Sequence, residues 1–101
     1  MTETPAFTEA VREILDGLRQ GKPSHARING AAFRIDQLGR KIHGFGWARD
    51  GEIAECFTAA VNALGGSHEL PEEARGGAVE EAIRHLDTAL AHIEDGGAVT
   101  G

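Results

Sequence analysis

Apolar residues recur at alternating steps of three and four along four segments of the chain, and glycine or proline residues separate the segments. This spacing places the apolar side chains on one face of an α-helix. The four predicted stripes are Phe7, Val11, Ile14 and Leu18; Ile28, Ala31, Ile35, Leu38 and Ile42; Ile53, Phe57, Ala60 and Leu64; and Val79, Ile83, Leu86, Leu90 and Ile93. None of the segments alternates apolar and polar residues as a half-buried strand does, so the sequence predicts an all-α fold.

Short connections limit how these helices can be arranged. Roughly two residues join the first helix to the second and about seven join each later pair, and loops of this length connect antiparallel neighbours. A chain of 101 residues also suits one domain. We therefore predict a single up-down-up-down four-helix bundle over residues 1–95, followed by a disordered, glycine-rich C-terminal tail at residues 96–101.

The third segment is apolar on more than one of its faces. Beyond its stripe it carries Ala54, Cys56, Ala59, Val61 and Ala63. A helix of this kind is buried on most sides, and one four-helix core offers too little surface to cover it. The second segment adds a strip of small residues, at Ala32, Gly39 and Gly46, which permits close helix approach. Both features predict a homo-oligomer, and a symmetric dimer is the commonest form.

The charges are unevenly distributed along an acidic chain. The net charge is -6, which argues against general nucleic-acid binding because that binding depends on cations. Basic residues nevertheless concentrate between Lys22 and Arg49, where Asp36 is the one acid. Two sets of charges repeat every seven residues beside the apolar stripes: a basic ladder of Arg27, Arg34 and Lys41, and an acidic ladder of Glu80, Asp87 and Glu94. We expect the ladders to meet within a chain or, as an oligomer interface, across a dimer, although two separate solvated stripes would show the same spacing.

The predicted turn between the second and third helices combines cations with aromatic rings. It holds Arg40, His43, Phe45, Trp47 and Arg49, together with glycines. Trp and Arg are enriched at the centres of protein interfaces, so these five residues form the predicted partner-binding site. The alternative interpretation is that Phe45 and Trp47 close the end of the hydrophobic core.

The sequence lacks the residue patterns of the common catalytic and metal centres. The single cysteine, Cys56, lies on the most apolar helix, which favours a buried and unreactive thiol. None of the five histidines follows an acid by three residues, as di-iron bundles require. Glu81 and His85 share a helix face, but they are predicted as an exposed pair. We therefore predict no catalytic residue, no metal site and no cofactor.

A short stretch around His25 is similar to the phosphorylation motif of histidine phosphotransfer domains, which are four-helix bundles of this size. That family presents an exposed histidine followed by two variable residues and then Lys-Gly. Here His25 precedes Ala26-Arg27-Ile28-Asn29-Gly30, so the glycine falls one residue later and follows asparagine instead of lysine. The resemblance implies a phosphotransfer module, but it covers half a dozen residues and departs from the family at the lysine and the glycine.

These observations predict a small, non-enzymatic, helical interaction or regulatory protein that acts by binding another protein. The chain has one cysteine, no signal-peptide pattern and no apolar run long enough to span a membrane, so we expect it in the cytoplasm. Its content of arginine, alanine and glycine suggests a bacterial source. Two other classes stay open. An acidic bundle could imitate the charge of nucleic acid, as inhibitor and immunity-type proteins can, or the bundle could hold a small ligand or a metal between its helices.

Overall fold

A computed structural model describes residues 3–20, 24–44 and 49–94, and within these ranges the chain is helical and contains no strand. The four α-helices are α1 (Glu3–Gln20), α2 (His25–Gly39), α3 (Asp50–Gly66) and α4 (Glu72–His92). Short 3-10 turns follow α2 at Ile42–Gly44 and α3 at Ser67–Glu69. The predicted all-α fold is confirmed, while the predicted tail at residues 96–101 lies outside the described residues.

Each helix packs against the next one along the chain, and α1 also packs against α4. The most extensive contact joins α3 to α4. Arg12 pairs with Glu94, whereas Arg19, which comes later in the chain than Arg12, pairs with Asp87, which comes earlier than Glu94. The helices α1 and α4 are therefore antiparallel. The molecule measures 45 × 20 × 19 Å, and its helix packing is compatible with a bundle. Among the described helices, none is both long and apolar enough to cross a membrane.

The hydrophobic core follows the predicted stripes closely on α1 and α3. All four stripe residues of each helix are buried, and Leu15 widens the buried face of α1. On α4 the stripe is buried except at Ile83, which is only partly covered. Ala82 and Ala89 are fully buried instead, on the side of α4 that carries His92 and faces α3. Because small side chains let helix axes approach closely, these alanines account for the extensive contact between α3 and α4.

The second helix ends at Gly39, before Ile42, the last residue of its predicted stripe. After Gly39 the backbone N–H of Lys41 donates to the carbonyl of Leu38, and this i to i−3 hydrogen bond leads into the 3-10 turn. Three residues of the predicted stripe are buried, namely Ile28, Ile35 and Ile42. Two more are only partly buried, namely Ala31 and Leu38. The buried stripe of α2 is therefore narrow.

The apolar residues outside the α3 stripe are partly buried within the single chain. Four of them pack against the core: Ala54, Cys56, Val61 and Ala63. Their partial burial follows from the position of α3, which lies against both α2 and α4. A Cβ atom at Gly39 would lie 3.7 Å from Phe57 Cδ2, so the predicted strip of small residues faces α3 at this position. Gly46, the last residue of that strip, lies outside the described residues. Neither feature therefore requires a second chain, and the homodimer stays a prediction that needs a different surface.

Candidate functional site

The predicted partner-binding turn is described only in part, since Phe45 and Trp47 lie outside the described residues. Arg40 directly follows α2, and its Nη2 atom lies 3.2 Å from Oδ2 of Asp36, one helical turn earlier. An Arg and an Asp at this spacing on a helix surface form an ordinary exposed ion pair. The charge of Arg40 is therefore matched within its own chain.

His43 and Asp50 connect the 3-10 turn after α2 to the first residue of α3. The Nδ1 atom of His43 lies 3.0 Å from Oδ2 of Asp50. The hydrogen bond with His43 lowers the pKa of the Asp50 carboxyl, and desolvation opposes this effect more weakly. The contact brings together the two sides of the predicted site and holds the start of α3 near the end of α2.

Arg49, Glu52 and His92 form a second polar cluster, which joins the start of α3 to the end of α4. Nη1 of Arg49 lies 3.7 Å from Oε2 of Glu52 and 3.4 Å from Nδ1 of His92. Nδ1 of His92 is 3.6 Å from the same Glu52 oxygen. Each described member of the predicted site, Arg40, His43 and Arg49, is thus already engaged with an acidic residue of this chain. Whether the turn also binds a partner stays a prediction.

The two charge ladders do not pair with each other within the described part of one chain. Asp87 pairs with Arg19 at 2.8 Å, and Glu94 pairs with Arg12 at 3.1 Å, so α1 supplies both cations. In the basic ladder, Nη1 of Arg27 donates to the carbonyl oxygen of Gly17 at 2.9 Å. It stays a prediction that the two ladders meet across two chains, the basic one with Arg27, Arg34 and Lys41 and the acidic one with Glu80, Asp87 and Glu94.

A surface that the sequence analysis missed lies on the outward side of α2. Phe33 is 64% exposed, which makes it one of two exposed large apolar residues in the described ranges, with Leu70 at 38%. Exposed Arg34 and Gln37 lie beside it, and Lys41 follows one turn later. Neither Arg34 nor Lys41 has an acidic partner among the residues that the structure describes. We call Phe33, Arg34, Gln37 and Lys41 the α2 outer face.

A cavity of about 230 Å³ opens between α1 and α2 and reaches α4. Its apolar lining consists of Ile14, Leu18, Ile28, Ala31 and Val79. The exposed charged residues at its solvent side are Glu13, Arg27 and Arg34. Gly17 and Gly30 also line it, and a Cβ atom built on either would meet no neighbouring atom within 4 Å. The glycines therefore leave space that a larger side chain would fill.

A second cavity, of about 380 Å³, lies on the opposite side of α2, against α3. Phe57, Val61 and Ala54 contribute apolar surface from α3. Its polar lining comprises Asp36, Arg40, Thr58 and Asn62. Here the one cation, Arg40, is paired with the one acid, Asp36, so this cavity presents no unmatched charge.

The thiol of Cys56 and the acidic residues are potential nucleophiles and metal ligands of the described ranges. Cys56 is partly buried, and burial, together with the nearby Glu55 and Glu52 carboxylates, raises the pKa of its thiol. A raised pKa keeps the thiol protonated, and the protonated form is a poor nucleophile and a poor metal ligand. Within residues 3–20, 24–44 and 49–94, no three His, Cys, Asp or Glu side chains converge on a metal-binding arrangement.

Comparison with protein-family models, with curated proteins and with solved structures found no match for this chain.

Proposed function

We propose that this protein is a non-enzymatic interaction protein that binds an acidic segment of another protein through the α2 outer face. The observation that carries the proposal is the exposure of Phe33 beside Arg34, a cation without an acidic partner among the described residues. Phe and Arg are both among the residue types enriched in protein interfaces relative to the rest of the surface.

Charge supports an acidic partner. Four arginines of the described chain are already matched by its own acids, namely Arg12, Arg19, Arg40 and Arg49. Arg34 and Lys41 are not, although the chain as a whole carries a charge of -6. An acidic partner is repelled by most of this molecule and attracted here, so the field of the protein orients its approach. Arg34 then binds a carboxylate through two parallel hydrogen bonds, a geometry that also gives specificity.

The proposal includes the finer architecture. An up-down-up-down order of the four helices agrees with the antiparallel α1 and α4 and with the short connections, and residues 1–95 form the one domain. We place the protein in the cytoplasm of a bacterium, as a regulator without a cofactor. Arg40 comes just before Lys41 and His43 just after it, so the predicted turn of Arg40, His43, Phe45, Trp47 and Arg49 adjoins the α2 outer face along the chain.

A photocrosslinking experiment tests this proposal in the cells that make the protein. The full chain is produced with p-benzoylphenylalanine at position 33 or, as a control, at the exposed position 58 on α3. We expect the residue-33 probe, but not the residue-58 probe, to form an adduct with one other protein. Adding Arg34→Glu and Lys41→Glu to the residue-33 probe removes that adduct, whereas the matched control Arg84→Glu on α4 keeps it.

Two results would overturn the proposal. Adducts that form equally at positions 33 and 58, or that survive the reversal of both charges, show that the α2 outer face has no specific partner. An adduct formed only with a second copy of the chain assigns the face to a homodimer. Sedimentation velocity of the purified chain then decides whether the predicted dimer forms, since a single species of 10.7 kDa at high micromolar concentration excludes it.

A further inference from the structure

The cavity between α1 and α2 combines three properties that suit a small ligand. It is largely apolar inside, it is open to solvent, and its solvent side carries two cations and one acid, Arg27, Arg34 and Glu13. Apolar clefts with a small number of placed polar groups are the usual form of small-molecule sites. None of these residues belongs to the turn that the sequence predicts as a partner site.

We propose that this cavity binds a small carboxylate with an apolar body. The apolar body packs among Ile14, Leu18 and Val79, and the carboxylate lies at the solvent side against Arg34 and Arg27. The inference goes beyond the proposed function, because it adds a ligand site built from α1, α2 and α4; the two sites share Arg34, but only the protein contact depends on Phe33.

The charges select a single negative group. Arg27 is held in place by the hydrogen bond from its Nη1 to the Gly17 carbonyl, and its remaining N–H groups stay free to donate. Arg34 has no acidic partner in the described ranges, so a carboxylate can bind it without displacing another acid. The carboxylate of Glu13 offsets part of the positive charge of the two arginines at the opening of the cavity. A monoanion is therefore matched better than a group with two negative charges.

The volume limits the apolar body. An engineered cavity of about 150 Å³ with an aliphatic and aromatic lining holds benzene, whereas drug-sized ligands occupy about 300–1,000 Å³. At about 230 Å³ this cavity suits one ring or one short alkyl chain, and a lipid with two chains does not fit. Because Gly17 and Gly30 create part of the space, their replacement by a larger side chain fills it.

The cavity on the α3 side of α2 does not meet the same requirements. It is larger, but Arg40 is already paired with Asp36, and Thr58 and Asn62 make its lining more polar. The two cavities therefore act as an internal comparison, since an amphiphilic anion should distinguish between them.

The test titrates the full, isotopically labelled chain with octanoate and follows the backbone amides by nuclear magnetic resonance. We expect saturable shifts confined to residues 13–18, 26–34 and 79, and weaker binding of octanol, which has the same chain length without the carboxylate. Arg34→Gln weakens octanoate binding by at least about tenfold, as the loss of a hydrogen bond to a charged group implies. Arg84→Gln on α4 is the matched control and leaves binding unchanged.

A cavity-filling variant tests the apolar part separately. We expect Gly30→Leu to abolish octanoate binding, while Gly65→Leu, at an exposed position of α3, does not. The thermal melt of each variant checks that it folds. Equal affinity for octanol and octanoate, shifts spread over the whole chain, or normal binding by Gly30→Leu would overturn the proposal. If Gly30→Leu fails to fold, Arg34→Gln still decides, because Arg34 is exposed.

The two proposals fail separately. Phe33→Ser removes the ring that the protein contact needs and adds no charge beside Arg34, so it prevents the α2 outer face from binding a partner, but it leaves octanoate binding intact. If octanoate does not bind while the residue-33 adduct forms, the cavity proposal is wrong and the proposed function stands.

Discussion

The two sides of α2 are built differently. Toward α3 the charges are paired although a cavity of about 380 Å³ remains: the Phe57 ring lies beside Gly39, Arg40 is paired with Asp36, and His43 with Asp50 joins the helix ends. Toward α1 and solvent the same helix has a smaller cavity with unmatched charge: it carries the exposed ring of Phe33 and, in Arg34, a cation without an acidic partner among the described residues. The comparison suggests that α2 is held in place mainly by α3, while its other side is available for binding. Features that violate the ordinary rules of packing tend to concentrate at functional sites.

The largest expected effect separates the two phenylalanines. Phe57 is buried and its ring lies 5.8 Å from that of Phe7 across the core, so Phe57→Ala should lower the free energy of unfolding by about 3–5 kcal/mol. Phe33→Ala removes an exposed ring and should change it by less than about 0.5 kcal/mol. Urea unfolding of both variants measures the difference. A loss at Phe33 as large as that at Phe57 would mean that the outer side of α2 is part of the core.

The sequence predicts the α3 side of this comparison well and the α1 side poorly. The α3 stripe is correct because apolar periodicity reports directly which residues of a helix face a core. Phe33 was missed because it lies five residues from both Ile28 and Leu38, on the far side of the helix from that stripe. A large apolar residue off its stripe was the available signal. The cavity had no such signal, since it depends on how closely two helices approach.

Heptad spacing also fails to identify a charge's partner. The acidic ladder is visible in the sequence, but its spacing shows only that Asp87 and Glu94 share one face of a helix. It does not show which other helix that face contacts. Which helix lies beside them is set by tertiary packing, and it is α1 that supplies Arg19 and Arg12. The ends of the predicted turn show the same limit, because the cluster of Arg49, Glu52 and His92 joins residues that are far apart in the chain.

A smaller effect should separate the paired cation of α1 from the unpaired cation of α2. A double-mutant cycle with Arg19→Ala and Asp87→Ala should give a coupling energy of about 0.2–1 kcal/mol, as for other exposed ion pairs. The cycle with Arg34→Ala and Asp87→Ala should give none at low protein concentration. Coupling between Arg34 and Asp87 that appears only as the concentration rises would instead support the predicted contact of the two ladders across a dimer.

The smallest expected effect concerns the hydrogen bond between His43 and Asp50, which joins the turn after α2 to the start of α3. The hydrogen bond with His43 lowers the pKa of Asp50 in the folded chain. A carboxyl whose folded pKa is lowered contributes stability above its unfolded pKa, and that stability is lost as the pH falls through the folded pKa. In the His43→Ala variant we expect the pKa of Asp50 to rise toward the ordinary carboxyl range, as measured by nuclear magnetic resonance of the side-chain carboxyl carbon. The stability difference between wild type and variant should then be present near neutral pH and shrink in acid.

The control for this titration is His85→Ala on α4. His85 is partly buried, and its substitution leaves the contact between His43 and Asp50 intact. It should therefore leave the pKa of Asp50 unchanged, which separates the hydrogen bond from a general effect of removing a histidine. If His43→Ala also leaves that pKa unchanged, His43 does not hold Asp50 in solution. The end of α2 would then be as open toward α3 as it is toward α1, and the contrast between its two sides would rest on Phe57 and the pair of Arg40 with Asp36.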